Sequence, residues 1–266
     1  MALIQVNYVS SALQRTIPLQ VILPVDKLTP DGKLPAEKKF KTLYLLHGYL
    51  GNYTDWVSGT RIQRWAEERD LCVVMPSGDN AFYVDRPETG NCYGQFIGEE
   101  LVEITRRMFP LSRKREDTFI GGLSMGGFGA LRNGLKYNDT FSRIVSLSPA
   151  LHLFDGEPGP VAGLLGKPED KWEEIVNSDV NPRWLLENLK GEKPGVYLAC
   201  GKQDELLPGS QLFRRLLTEN GYELCYTEDE GKHDWDYWDR HIKLALDWLP
   251  LDEKVGGLNS GNIKGE

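Results

Sequence analysis

Thr118-Phe119-Ile120-Gly121-Gly122-Leu123-Ser124-Met125-Gly126-Gly127 is the stretch that decides the fold of this chain. Its first residues are mostly apolar, β-branched or aromatic, as in a buried strand, and a helical pattern follows it. Between the two, Gly122-x-Ser124-x-Gly126 allows a turn too sharp for side chains at the flanking positions. A serine at such a turn faces the N–H groups that begin the next helix, which favour negative charge. The pattern predicts that Ser124 is a nucleophile; the alternative is a plain glycine-rich turn.

Short apolar runs alternate with longer amphipathic segments along the rest of the chain. This alternation predicts an α/β protein with a mostly parallel central sheet and helices on both faces. Residues 4–9 and 17–23 alternate between apolar and polar, as antiparallel edge strands at the N-terminal side would. The later runs are continuous and predict strands buried on both faces: 43–46, 71–75, 118–121, 144–147, 196–200 and 224–226.

The domain organisation that we expect is simple. Residues 1–252 form one domain without a large cap, and residues 253–266 form a polar, Gly-rich, mobile tail. Residues 151–189 are rich in glycine and proline before they turn helical, which predicts an irregular excursion over the sheet.

The composition of the 266 residues excludes several functions. Thirty-one Lys and Arg against 39 Asp and Glu give a net charge of −8, which argues against nucleic acid as a partner. No apolar run is long enough to span a membrane, and no phosphate-binding glycine motif or metal-ligand cluster occurs, so we expect no cofactor and no metal. Four scattered cysteines and the lack of a visible signal peptide predict a cytoplasmic protein with reduced thiols.

A serine nucleophile needs a base, and the chain has four histidines. His233 lies between the last predicted strand and the final helix, where a hydrolase with this serine turn carries its histidine. The other three histidines fit less well. His47 comes before the serine in the chain, and His152 follows Ser124 without an acid-bearing strand between them. His241 falls in a helical stripe, where a surface role is expected. His233 is therefore the predicted base.

The acid should lie between the serine and the histidine, after the end of a strand. Asp204 follows the predicted strand at 196–200, so its carboxylate can emerge at the same sheet edge as Ser124. Its role would be to hold the imidazole in one tautomer and stabilise the imidazolium. Glu205 is a competitor, and the alternative for Asp204 is a turn aspartate that caps the next helix.

Two backbone N–H groups are needed to hold an oxyanion. Met125, directly after the serine, is expected to supply one. The second is expected from the glycine-rich loop after the strand at 43–46, with Tyr49 as first choice and Leu50 as alternative. Aromatic residues crowd the predicted loops, and we expect Trp56, Tyr93 and Trp235, together with Gly48, to bind substrate; ordinary packing is the alternative for each aromatic ring.

With these motifs the chain resembles the esterase D-type α/β-hydrolases. They include S-formylglutathione hydrolases, feruloyl and acetyl-xylan esterases and the small bacterial tributyrin esterases, which it resembles most. The matching positions are 44–52, 56, 73–76, 109–110, 114–120, 122–127, 200–204 and 231–238. Residues 151–180, part of the pocket wall in relatives, depart from the pattern. The resemblance implies an α/β-hydrolase fold, hydrolysis of carboxylic esters by Ser124, Asp204 and His233, no cofactor, and often a homo-oligomer.

We therefore predict a cytoplasmic serine carboxylesterase that acts on short-chain acyl esters, acetyl to butyryl, or small aryl esters through an acyl-enzyme. The expected partners are a small ester and further copies of the chain in a dimer or tetramer, and neither nucleic acid nor a membrane. The enzymatic alternatives are a thioesterase of the S-formylglutathione hydrolase type and an acetyl-xylan or feruloyl esterase acting on plant-derived oligosaccharides. The non-enzymatic alternative is a catalytically silent binding module.

Overall fold

The computed structural model describes residues 1–154, 162–165, 171–252, 256–259 and 261. The strands are β1 (Ala2–Ser10), β2 (Arg15–Leu23), β3 (Thr42–Leu46), β4 (Cys72–Pro76), β5 (Asp85–Arg86), β6 (Asn91–Cys92), β7 (Thr118–Leu123), β8 (Arg143–Leu147), β9 (Gly195–Gly201) and β10 (Leu224–Asp229). The helices are α1 (Asp55–Gly59), α2 (Ile62–Glu68), α3 (Tyr93–Gln95), α4 (Leu101–Met108), α5 (Met125–Lys136), α6 (Trp172–Val176), α7 (Pro182–Asn188), α8 (Leu207–Glu219) and α9 (Trp235–Trp248). None of these described helices combines the length and apolar character needed to cross a bilayer.

The central sheet has eight strands in the order β1-β2-β4-β3-β7-β8-β9-β10. β1 pairs with β2 and β2 with β4 in the antiparallel sense, and every later pair is parallel. The mostly parallel sheet with antiparallel strands at its N-terminal edge, predicted from the hydrophobic pattern, is therefore confirmed. β7, which leads to Ser124, lies between β3 and β8 in the interior of the sheet.

Helices cover both faces of the sheet. Successive residues of β3 point to opposite sides, because side chains alternate along a strand. Tyr44 packs in a buried cluster that also contains Phe128 of α5, whereas Leu43 packs in a second cluster with Trp65 of α2 and Ile242 of α9. The site-bearing helix α5 and the final helix α9 therefore lie on opposite faces.

One difference from the sequence predictions concerns exposure at the edge of the sheet. The strand at 224–226 was expected to be buried on both faces, but all residues of β10 are partly exposed because, within the described sheet, β10 is an edge strand paired with β9. In the predicted mobile tail, Leu258 forms a two-way backbone pairing with Leu28, at 3.1 and 2.8 Å. The rest of that tail, 253–255, 260 and 262–266, lies outside the described residues, as do 155–161 and 166–170 of the predicted excursion.

Candidate active site

Ser124 occupies the single residue between the end of β7 and the start of α5. Its backbone has φ 53° and ψ −116°, a conformation that non-glycine residues rarely adopt. Its N–H donates to Leu147 O at 2.9 Å, and its carbonyl accepts from Phe128 N–H at 3.0 Å. These two bonds hold the strained turn, which is the kind of strain that functional sites retain.

The glycines around Ser124 are required by close backbone approach. A Cβ on Gly122 would lie 2.3 Å from Gly126 O, and a Cβ on Gly126 would lie 2.4 Å from Leu46 O and 2.6 Å from His47 O. Real side chains do not come this close to carbonyl oxygens, so a side chain at either position would push α5 away from the sheet. The Gly-x-Ser-x-Gly pattern thus reflects how tightly the helix start packs on β3.

The structure brings together the three side chains predicted as serine, base and acid. Ser124 Oγ lies 3.0 Å from His233 Nε2, and His233 Nδ1 lies 2.9 Å from Asp204 Oδ2. We assign the proton to Nδ1, which donates to the carboxylate, so that Nε2 accepts from the serine hydroxyl. In this geometry the imidazole can take the hydroxyl proton while the carboxylate stabilises the resulting positive charge.

Asp204 is buried, and its side chain has 0% exposure. Burial raises its pKa, but hydrogen bonds from His233, the Leu206 N–H and Ser148 lower it, and the net effect holds the pKa of the carboxyl below its usual value. The Leu206 N–H donates to Oδ1 at 2.9 Å, which leaves Oδ2 for His233. The competitor Glu205 is exposed, and no hydrogen bond joins it to His233 in the described structure.

Sequence reasoning did not assign Ser148 and Trp238 to the site. The rings of Trp238 and His233 form a T-shaped pair at a centroid distance of 4.9 Å and an interplanar angle of 89°, and Trp238 Nε1 donates to Ser148 Oγ at 3.3 Å. Ser148 in turn hydrogen-bonds to Asp204. The signal that could have identified Ser148 is its position directly after β8, since Asp204 also follows a strand of this sheet.

The β3 loop (residues 47–51) lies against the serine. A Cβ on Gly48 would lie 3.6 Å from Ser124 Cβ. Leu50 N–H already donates to Asn80 Oδ1 at 2.7 Å, so the alternative oxyanion donor is engaged elsewhere. Within the described residues no acceptor meets Tyr49 N–H, and Met125 N–H, the first of α5, has no acceptor within the helix. Of the three predicted donors, Leu50 N–H is therefore engaged, whereas Tyr49 N–H meets no acceptor among the described residues and Met125 N–H meets none within α5.

His47 connects the β3 loop to the loop that follows β4. It is fully buried, with its Nδ1 2.7 Å from Gly48 O and its Nε2 2.8 Å from Gly78 N; because a carbonyl accepts and a backbone N–H donates, we assign the proton to Nδ1. Burial lowers its pKa, which keeps the ring neutral and leaves Nε2 able to accept. His47 therefore serves as a connection between two loops.

The remaining histidines lie outside this cluster. His241 was expected at the surface but is fully buried, because it faces the sheet and contacts Asp229, with 3.0 Å between Nε2 and Oδ1. Its pKa is lowered, first of all by burial. His152 is exposed.

Two of the predicted substrate-binding aromatics are core residues. Trp56 and Tyr93 are each only 1% exposed, so neither presents a surface to a substrate in this conformation. Trp56 Nε1 donates to Leu46 O at 2.9 Å, and the Tyr93 hydroxyl donates to Asp79 at 2.6 Å. Both rings are buried and their polar atoms are already hydrogen-bonded within the fold, a role that the sequence alone does not distinguish from lining a pocket. Trp235 is partly exposed and meets Trp56 edge to face, at a centroid distance of 5.8 Å.

No group of three or more His, Cys, Asp or Glu side chains that could hold a metal ion occurs among the residues that the structure describes.

Comparisons with known proteins agree on one chemistry. The model of a family described as "Putative esterase" matches residues 10–249. An acetyl esterase from Caldicellulosiruptor saccharolyticus is 42% identical over 263 residues, covering 94% of this chain and 98% of that protein. An S-formylglutathione hydrolase from Staphylococcus aureus is 32% identical, with a TM-score of 0.79 over 93% of this chain and 98% of the other. A fluorophosphonate-binding serine hydrolase of the same organism is 31% identical, with a TM-score of 0.78 over the same shares of the two chains.

Proposed function

Because the chain belongs to this esterase family and is a carboxylic ester hydrolase, we propose that Ser124, His233 and Asp204 hydrolyse short-chain acyl esters through an acyl-enzyme. One observation carries the proposal: Ser124 Oγ, the two His233 ring nitrogens and Asp204 Oδ2 form a continuous relay at 3.0 and 2.9 Å. A binding module without catalysis would have no need for this relay or for the strained backbone of Ser124.

The reaction proceeds in two steps. Ser124 Oγ attacks the ester carbonyl while its proton passes to His233 Nε2, and the carbonyl oxygen becomes an oxyanion held by the Tyr49 and Met125 N–H groups. The tetrahedral intermediate expels the alcohol, which takes the proton from His233, and leaves Ser124 acylated. Water then attacks the acyl group with His233 as base, and the acid product leaves with Ser124 restored.

The substrate class that we favour is acetyl to butyryl esters of small alcohols. The support is the acetyl esterase relative at 42% identity. A thioesterase acting on S-formylglutathione is the second candidate, favoured by the structural relative with that activity at 32% identity. The ratio of kcat/KM for p-nitrophenyl acetate to that for S-formylglutathione distinguishes them: a ratio well above one supports the ester, and a ratio well below one supports the thioester.

Loss of the nucleophile tests the catalytic assignment. Ser124→Ala is expected to abolish p-nitrophenyl acetate turnover and labelling by a fluorophosphonate, with the unfolding midpoint close to that of the wild type. Ser58→Ala is the matched control, because Ser58 is an exposed serine whose hydroxyl donates to backbone carbonyls of its own turn, Thr54 O at 2.8 Å and Asp55 O at 3.4 Å. Turnover that survives Ser124→Ala contradicts the proposal.

We also propose a cytoplasmic location and a homo-oligomer. The four cysteines are all unpaired, as is usual in a reducing compartment. Fractionation of the source cells and light scattering of the purified protein test the two statements separately.

A further inference from the structure

The loop between β4 and β5 (residues 77–84, the β4 loop) contains three non-glycine residues with positive φ: Asp79 at 44°, Phe82 at 51° and Tyr83 at 56°. Such backbone persists only where its surroundings hold it in place. Here Asp79 is held by an ion pair with Arg15 at 2.6 Å and by the Tyr93 hydroxyl at 2.6 Å. The β4 loop is thus a fixed and strained segment.

This fixed segment contacts the β3 loop through three hydrogen bonds. Gly78 N–H donates to His47 Nε2 at 2.8 Å, and the Tyr83 hydroxyl donates to His47 O at 3.0 Å. The third bond runs from Leu50 N–H to Asn80 Oδ1 at 2.7 Å. The first two hold the start of the β3 loop, and only the third holds its tip.

The tip needs this bond because Leu50 is in an unfavourable state. Its φ is 63°, in the left-handed region, and its side chain is 81% exposed, so packing does not hold it there. The peptide group bearing Leu50 N–H is separated from the one bearing Tyr49 N–H only by the two torsion angles of Tyr49. Fixing the first group therefore restricts the direction of the second.

We propose that Asn80 is a positioning residue for the ester hydrolysis: by accepting Leu50 N–H it holds the tip of the β3 loop so that Tyr49 N–H faces the oxyanion. The inference rests on the proposed function, since it assumes that Tyr49 and Met125 supply the two donors. Asn80 touches no reacting atom in this account. Its side-chain carbonyl acts through the backbone of the β3 loop.

The test compares Asn80→Ala with Asn80→Asp, which keeps an acceptor oxygen in place. Asn80→Ala is expected to lower kcat for p-nitrophenyl acetate about 10- to 100-fold, since a misplaced oxyanion donor costs part of what a removed one costs. KM should stay within about twofold, because the ground-state ester needs the donor less than the oxyanion does. The affinity for a trifluoromethyl ketone, whose serine adduct carries an oxyanion, should fall by the same factor as kcat. Asn80→Asp should retain a higher kcat and a higher affinity for the ketone than Asn80→Ala does.

Asn52→Ala is the matched control, because the Asn52 side chain also accepts a backbone N–H, that of Thr54 at 2.8 Å, whereas Leu50 N–H donates to Asn80. It should leave kcat within about twofold. The inference is wrong if Asn80→Ala keeps the wild-type kcat, or if its kcat falls while its affinity for the ketone does not. It is also wrong if Asn52→Ala loses as much kcat as Asn80→Ala, or if the kcat of Asn80→Asp is no higher than that of Asn80→Ala. Failure of the proposed function gives a different result, namely turnover and fluorophosphonate labelling that survive Ser124→Ala.

Discussion

Replacing Asp204 by asparagine is the sharpest test of the relay, because the structure determines how the new amide must lie. Oδ1 of Asp204 accepts Leu206 N–H at 2.9 Å, and Oδ2 faces His233 Nδ1 at 2.9 Å. An asparagine that keeps its carbonyl towards Leu206 turns its NH₂ group towards His233. Nδ1 must then accept, so the ring carries its proton on Nε2 and cannot take the proton of Ser124.

The opposite orientation would keep the productive tautomer but would set NH₂ against Leu206 N–H. Leaving that partly buried donor unsatisfied costs about 1–3 kcal/mol, so at most about a fifth of the molecules would adopt this orientation. With the loss of the negative charge beside the imidazolium, we expect kcat to fall by about 10⁴-fold, which corresponds to about 5.4 kcal/mol.

The assay is the turnover of p-nitrophenyl acetate at saturation, with circular dichroism to show that Asp204→Asn is folded. Glu205→Gln is the control; Glu205 is exposed and adjacent, so its exchange should change kcat by less than about twofold. If Asp204→Asn retains more than about a tenth of the wild-type kcat, or if Glu205→Gln is the variant that loses activity, the assignment of the acid is refuted.

Two further predictions concern stability. Gly126→Ala should lower the free energy of unfolding by about 1–3 kcal/mol and reduce kcat at least 100-fold, because its Cβ would meet Leu46 O at 2.4 Å and displace the start of α5. Denaturant titrations and turnover assays measure the two effects. Gly163→Ala is the control, since a Cβ on Gly163 meets nothing within 4 Å. Burial lowers the pKa of His47, so the unfolded chain takes up a proton at higher pH than the folded one, and stability should fall as the pH drops below about 6.5. His47→Asn should make the unfolding free energy less dependent on pH by up to about 1.4 kcal/mol per pH unit, and an unchanged slope would show that His47 does not remain neutral in the fold.

The sequence alone was enough to predict the mostly parallel sheet and to single out Ser124, His233 and Asp204. Each of these three residues follows a predicted strand, and they occur in the order serine, acid, histidine along the chain. Because polar residues at the carboxyl ends of parallel strands meet at one edge of the sheet, these two facts were enough to predict the cluster. Gly122 and Gly126 pointed to the sharp turn because the Gly-x-Ser-x-Gly motif lies within five consecutive residues, although the close approach that requires Gly126 is to Leu46 O of β3.

Only the tertiary structure decided the surroundings of that cluster. Whether Trp56 and Tyr93 line a pocket or fill the core depends on which other segments cover them, and local sequence does not carry that information. The same holds for Asn80, thirty residues from Leu50, whose contact exists because β3 and β4 are neighbours in the sheet. Motifs are local and therefore legible in sequence, whereas burial and hydrogen bonds between loops arise from long-range packing and appear only in the folded chain.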